Sequence, residues 1–430
     1  MHPLITELIT TNKTDILNWT RLIKDSIRMR RVYIELIKKH FKGNSQMLFL
    51  VGARQVGKTT ITQLIVDEYK ESLYLNWDVI KDRQLILKGQ DFVENILPSN
   101  ILRDRKPLIV FDEIHKYKDW KNYLKGFFDL YKNKFDIIVT GSARLDVYKA
   151  GGDSMMGRYF QYRIHPLSVG ELANINRVSQ EITSPILLNE DKFSNLYKYG
   201  GFPEPYLKAR DDFVQQWYSF RDKQLFSEDI RDLSNIHEIG QLEVLAFILK
   251  EQVGQLLNRS SLSRKIQVDA STISRWITVL ERFFFCYAIK PWSKNITRSL
   301  IKEPKIYLYD WSLIEDDGTK FENFIVSHLL KAVDLWNDLG KGRYGLYFIR
   351  NKDKKEVDFL VSKNNKPWFL VEAKLSANNR VSSSLQYFQD QLQCSHAFQV
   401  VFNLDYVNKN CFEYNNPVVV PASTFLSQLV

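Results

Sequence analysis

The residues best suited to chemistry lie in LFLVGARQVGKTTITQLI. Here an apolar run leads into Gly52, then Ala53, Arg54, Gln55 and Val56, then Gly57, Lys58, Thr59 and Thr60 at the head of an amphipathic stretch. Glycines let the backbone curl until successive N–H groups point inward at phosphate oxygens, and a helix starting there adds the partial positive charge of its N-terminus. In that setting Lys58 reaches the β- and γ-phosphates and the Thr59 hydroxyl binds Mg²⁺. The matching acidic half is LIVFDE, residues 108–113. Asp112 would hold the Mg²⁺ shell and Glu113 would polarise an attacking water. The plainer alternative is a strand end followed by solvated acids. The two motifs in this order favour a nucleotide site, with ATP and Mg²⁺ as cofactors and phosphoryl transfer to water as the reaction.

Three further positions belong to the same expectation. The run DIIVTGSAR ends in Thr140 and Ser142, either of which could sense the γ-phosphate from a neighbouring strand. Arg158 follows Gly157 in GGDSMMGRYF and could stabilise transition-state charge in a neighbouring subunit's site; its alternative is a surface or structural arginine. His115 follows the acidic motif, but a lone histidine without partners is not a metal site.

The elements that must place these residues are legible as short apolar runs, MLFLV, SLYLNW, PLIVFD and FDIIVTG, separated by amphipathic stretches. They predict buried parallel strands with helices between, a three-layer α/β core. The expected organisation is a helical N-terminal segment (1–43), a P-loop core (44–166), a helical lid (167–250) broken by the turn GGFPEPY, a module of short helices then strands (251–314), and a second α/β domain (315–430). At 430 residues the chain is too long for one ordinary domain. Its three cysteines are far apart with no CxxC spacing, which argues against a disulfide scaffold or a zinc ribbon and suits a cytoplasmic setting. There is no apolar h-region at the start and no apolar run long enough to span a bilayer, so no membrane role is expected.

The order GARQVGKTT, FDEIHKYKDW, TGSARL, GRYF with HPLSVGEL, then GGFPEPYL resembles a group of bacterial and archaeal AAA-type ATPases with a C-terminal DUF4143 domain, itself similar to restriction-endonuclease-like nucleases. The resemblance runs from about Arg31 to near the end of the chain. It implies an AAA-type core, a helical lid, a winged-helix-like module and a nuclease-like α/β C-terminal domain, with Arg158 as an arginine finger or sensor. The first 30 residues extend beyond the family's usual start.

Two segments outside the nucleotide site carry candidate functions. Residues 254–306 hold ten basic and three acidic residues, a net +7 of the chain's +10. This concentration suggests an anionic polymer, DNA, as partner. The same stretch reads as helix, turn, helix, with Leu262, Ile266, Ile273, Ile277, Leu280 and Phe284 on one buried face and Ser271, Thr272, Ser274 and Arg275 near the start of the second helix, as a major-groove reader would need. The alternatives are a solvated surface and a packing module. Further on, Glu322 lies in a helix over 321–333, Asp358 in EVDFLV with Glu356 on the same face, and Glu372 and Lys374 on one face of WFLVEAK. A hairpin at SKNNKP would bring Asp358 beside Glu372, two carboxylates that a second divalent ion would neutralise and whose lysine could activate a water against a phosphodiester. Such a Glu-x-Lys triplet is otherwise an exposed polar face. Gln386 and Gln389 would either support that site or face solvent. The expected function is an ATPase coupling nucleotide state to handling of DNA or a protein partner, as a monomer or a homo-oligomer. The alternative is a slow switch or scaffold whose inactive C-terminal domain recruits a partner.

Overall fold

Strand β1 (Met47–Gly52) is buried at every position, and its alternation builds two cores at once. Met47, Phe49 and Val51 point into one, Leu48 and Leu50 into the other. The computed structural model describes residues 31–98, 100–141, 155–173, 180–231, 236, 238–293, 303–376 and 380–430. The expectations placed on residues before 31, on Ser142, and on Lys294, Arg298 and Lys302 lie outside the described residues.

With β2 (Ser72–Asn76), β3 (Leu108–Asp112), β4 (Asp136–Gly141) and β5 (Tyr159–Ile164), β1 forms an all-parallel sheet in the order β2-β3-β4-β1-β5. One face is covered by helix Trp120–Tyr131, whose Trp120, Tyr123, Leu124, Phe127, Phe128 and Tyr131 recur at helical spacing and are all buried. The other is covered by helices Val32–Gly43 and Lys58–Val66 through Tyr33, Leu36, Ile37, Ile61 and Ile65. Residues 32–43, read from sequence with the N-terminal segment, thus pack directly on the sheet of the P-loop core. β5 adds an edge strand that the polar YFQYRI does not announce.

Helices Glu190–Tyr199, Pro203–Lys208 and Asp211–Gln224 follow, the last running into a π-helical turn at Leu225–Ile230. Helices Ile239–Glu251, Arg259–Ile266 and Ala270–Arg282 then precede the antiparallel pair β6 (Cys286–Pro291) and β7 (Lys305–Leu308). Leu262, Ile266, Ile273, Ile277 and Leu280 are buried together as their spacing requires, whereas Phe284, expected on the same face, lies past the helix end with φ 56° and packs half-buried against the core of the first sheet.

β6 also pairs in parallel with β8 (Tyr344–Arg350). With β9 (Glu356–Lys363), β10 (Lys366–Lys374), β11 (His396–Val401) and β12 (Val418–Pro421) this makes a seven-stranded mixed sheet, β12-β11-β10-β9-β8-β6-β7. The sheet therefore crosses the sequence boundary expected at 314/315. Asn364 and Asn365 both take left-handed φ (52° and 63°), the two-residue turn that suits a right-twisted hairpin between β9 and β10. Helix Asp317–Asp338 is longer than the expected 321–333. Phe321, Phe324 and Leu329 pack in the second domain's core, while Leu335 belongs to the core of the first sheet. No helix among the described residues is long and apolar enough to cross a membrane.

Candidate functional site

Gly52, Asp112 and Thr140 stand at or next to the carboxyl ends of β1, β3 and β4, the edge of a parallel sheet where ligands bind. Two glycines are required there by geometry. A Cβ on Gly52 would sit 2.4 Å from the Ile164 carbonyl oxygen of β5. Gly57 caps helix Lys58–Val66 with φ 98°, a left-handed conformation that side chains resist. Gln55 also has positive φ, 63°.

The Lys58 ammonium is buried and donates to the carbonyls of Gly52 (2.9 Å) and Ala53 (2.8 Å). Burial lowers its pKa to about 8, against the opposing fields of Glu113 and Asp112. Asp112 is held from two sides: Thr140 donates its hydroxyl to Oδ1 and Tyr74, on β2, donates to Oδ2. Thr140, expected to sense the γ-phosphate, is fully buried and spends its hydroxyl on the acid. Tyr74 has no sequence signal, because nothing in SLYLN says which strand will lie beside it.

Glu113 follows with φ 55°, a strained conformation for a non-glycine residue of the kind that collects at functional sites. Its N–H donates to the Thr140 carbonyl (3.2 Å). Burial pushes its carboxyl up, and Lys58 and Lys116 partly offset this. Its Oε2 lies 3.6 Å from His115 and 3.7 Å from Lys116. Hydroxyl and carboxylate oxygens from Thr59 and Asp112 are the hard donors Mg²⁺ takes, so the residues present fit that ion. Arg54 reaches across to the π-helical turn, where its guanidinium meets Asp229 at 2.6 Å.

Arg158 stands away from its own chain's phosphate loop. It immediately precedes β5, opposite the start of β1, where its carbonyl accepts from Met47 N–H (3.0 Å). Six residues of extended chain, roughly 20 Å, separate it from Ile164 beside Gly52. Its guanidinium makes two 2.9 Å bonds to Asp129 at the far end of helix Trp120–Tyr131. A sensor role in its own chain's site is excluded, because parallel strands put the phosphate loop at the opposite end of the sheet.

In the second domain, Glu322, Asp358, Glu372 and Lys374 come together as their positions on helix, β9 and β10 predict; all three carboxylates act on Lys374. Asp358 accepts from the Ala373 N–H (2.9 Å), and burial, then Glu322, pushes its carboxyl up to about 7. Glu372 Oε1 pairs with Lys374 (2.8 Å), while its Oε2 is buried with no hydrogen-bond partner among the described residues. An unexpected lysine enters this cluster. Lys305 of β7, counted from sequence with the basic, DNA-facing residues, is buried, 2.6 Å from Glu356 and 3.5 Å from Glu322. Tyr307 also donates to Glu322 (2.6 Å). With an ammonium supplying the counter-charge, no group of three or more His, Cys, Asp or Glu side chains among the described residues is arranged to hold a metal. No such group among the described residues shows the second metal site expected here. Gln386 faces solvent against Asp390 (3.1 Å), and buried Gln389 bonds the Asn415 carbonyl (2.7 Å); neither supports the cluster.

In comparisons with known proteins, residues 44–173 match the model of an AAA domain, 190–316 a domain of unknown function, DUF8612, and 317–425 a second, DUF4143. The chain is similar to an uncharacterized protein of Haemophilus influenzae, 24% identical over 371 residues that cover 81% of this chain and 88% of that one. It is similar also to an uncharacterized protein of Mycobacterium tuberculosis, 21% identical over 397 residues, 89% of this chain and 81% of that one. Among solved structures, a Walker-type ATPase of Pyrococcus abyssi aligns with TM-score 0.42 and 14% identity, over 66% of this chain and 94% of that one. AMPPCP-bound DnaA of Aquifex aeolicus aligns with TM-score 0.30 and 15% identity, over 59% and 88%.

Proposed function

We propose that this chain, an AAA-type P-loop protein with a C-terminal DUF4143 domain, binds ATP with Mg²⁺ and hydrolyses it. The observation that carries the reading is the convergence of Lys58, doubly held Asp112 and strained, half-buried Glu113 at the carboxyl edge of the first sheet. The loop's N–H groups and Lys58 take the phosphates, and Thr59 and Asp112 hold the ion's shell. Bound Mg²⁺ would neutralise charge on the β- and γ-phosphate oxygens. Glu113 accepts the proton of a water that attacks the γ-phosphorus as the bond to the ADP oxygen breaks. Its raised pKa suits a proton acceptor, since a stronger base drives the transfer further. The test is phosphate release by the whole chain with ATP and Mg²⁺: turnover abolished by chelation supports the reading, and none with any divalent ion sinks it.

The effector reading is DNA handling. It is supported by the three helices followed by β6 and β7, an order that fits a winged-helix-like module, and by Arg264, Lys265 and Arg275, exposed on and around helix Ala270–Arg282. The buried, unpartnered Glu372 Oε2 beside Asp358 keeps phosphodiester cleavage within this reading. The rival is a nucleotide switch whose C-terminal domain recruits a partner. Its supporting observation is Lys305, which supplies the counter-charge a catalytic metal would otherwise provide. Duplex DNA titrated at rising salt, with and without Mn²⁺, separates them. Salt-sensitive binding with cleavage lost in Lys374→Ala supports the first; neither binding nor cleavage supports the second.

A further inference from the structure

Arg31 lies 25 residues before Val56 and outside the phosphate-loop motif, yet its guanidinium is buried against that loop. Nη1 donates to the Val56 carbonyl (2.9 Å), Nη2 to the His165 carbonyl (2.6 Å) and Nε to Glu171 Oε1 (2.7 Å). A Cβ built on Gly57 would lie 3.5 Å from Nη1, so the arginine also flanks the next residue of the loop. Glu171 Oε2 in turn accepts from Lys331 Nζ (2.5 Å), which donates as well to the Pro166 carbonyl (2.9 Å). Arg31, Glu171 and Lys331 are 4%, 2% and 1% exposed. Lys331 belongs to helix Asp317–Asp338, the helix that carries Glu322 into the second domain's carboxylate cluster. An unbroken series of direct contacts thus runs from that domain's central helix to the backbone of the phosphate loop.

The orientation of one peptide plane gives this series a consequence. In a trans peptide the C=O and the following N–H point in opposite directions. Fixing the Val56 carbonyl on Arg31 therefore aims the Gly57 N–H away from Arg31. That N–H is one of the loop donors that must converge on phosphate. The arrangement is also costly to keep for packing alone, because apolar replacements of a buried ionic triad are often neutral or stabilising. Two cations against one carboxylate leave a net positive charge that the Val56, His165 and Pro166 carbonyls offset, together with the Tyr33 ring, whose centre lies 5.5 Å from Arg31 and 6.0 Å from Lys331. Both cations hold Glu171 down to about 2 in spite of its burial.

We infer that Arg31 is a positioning residue for the phosphate loop, and that Lys331 of the C-terminal domain's helix sets Arg31 through Glu171, making nucleotide affinity depend on the Lys331–Glu171 contact itself. The inference rests on the ATP reading above.

The test uses the full chain and a fluorescent ATP analogue. Lys331→Met is expected to raise the nucleotide Kd about tenfold, within the usual range of coupling between sites, while kcat stays within about threefold. Lys331→Arg, which keeps a donor to Glu171, is expected to restore most of the affinity. Arg163→Met supplies the structural control. It breaks the ion pair to Asp334 on the same helix without touching Val56, and should lower Tm with Kd unchanged. A folded Lys331→Met protein with wild-type Kd, or an equal loss of affinity in Arg163→Met, overturns the inference. Should Lys331→Met fail to fold, hydrogen exchange on the wild type decides. Nucleotide is expected to slow exchange of amides around Lys331, and unchanged exchange overturns the inference. A wild type that binds no nucleotide overturns the ATP reading and this inference together, whereas wild-type binding with unaltered variants overturns the inference alone.

Discussion

Tyr74 donates its hydroxyl to Asp112 Oδ2 from the adjacent parallel strand, while Thr140 takes Oδ1 from the strand on the other side. The acid at the end of β3 is therefore oriented by both its neighbours before any cation arrives. Tyr74→Phe removes one donor and little volume. A hydrogen bond to a charged group is worth about 1.5–3 kcal/mol, so the half-saturating Mg²⁺ concentration for hydrolysis should rise about tenfold. An unchanged Mg²⁺ requirement would leave Tyr74 a packing residue.

Glu113→Gln should keep ATP affinity within about threefold and lower kcat at least about a hundredfold, the scale of a lost general base. The pH profile carries the sign. A base works deprotonated, and burial raises this carboxyl, so the wild-type rate should fall on acidification at a pH above the ordinary carboxylate range. Turnover of the Gln variant at the wild-type rate would remove Glu113 from water activation.

Arg158→Ala should leave ATP hydrolysis within about twofold in dilute solution, since Arg158 pairs with Asp129 at the end of the sheet away from the loop. A rate loss that appears only as protein concentration rises would instead give Arg158 a role in a neighbouring copy's site.

Asp358 has its pKa raised in the folded chain to about 7 from 3.8. The folded state thus holds a proton that the unfolded chain has already released. Stability from this group is fully present below about 3.8 and is lost as pH rises through about 7. Asp358→Asn should accordingly raise Tm at pH 8 and change it little near pH 4. Equal shifts at both pH values would mean the carboxyl is not the source of the penalty.

How much of this was legible in the chain follows from the range of each interaction. β1, β3 and β4 are continuous apolar runs, and their ends carry glycine, lysine or carboxylate at local spacing, so the core of the nucleotide site can be read directly. The hairpin that joins Asp358 to Glu372 is equally local, two asparagines between alternating strands. What escapes is whatever depends on which strand lies next to which. Tyr74 meets Asp112 only because β2 pairs with β3, and Arg31 meets Val56 only because helix Val32–Gly43 packs under the loop. Lys305 reads as one more base in a basic stretch until β7 places it against Glu356. Arg158 reads from GGDSMMGRYF as a candidate for a neighbouring subunit's site, and only the direction of β5 tells that it lies at the end of the sheet away from its own chain's loop.

The central claim, a working phosphate site at Gly52–Thr59, is tested most directly by Mg²⁺-dependent phosphate release from ATP in wild type and Lys58→Ala, measured side by side on folded protein. Removing the buried ammonium takes away charge stabilisation at the transferring phosphoryl group, so release should fall at least about a hundredfold. Hydrolysis within about threefold of wild type in the Ala variant would contradict the account.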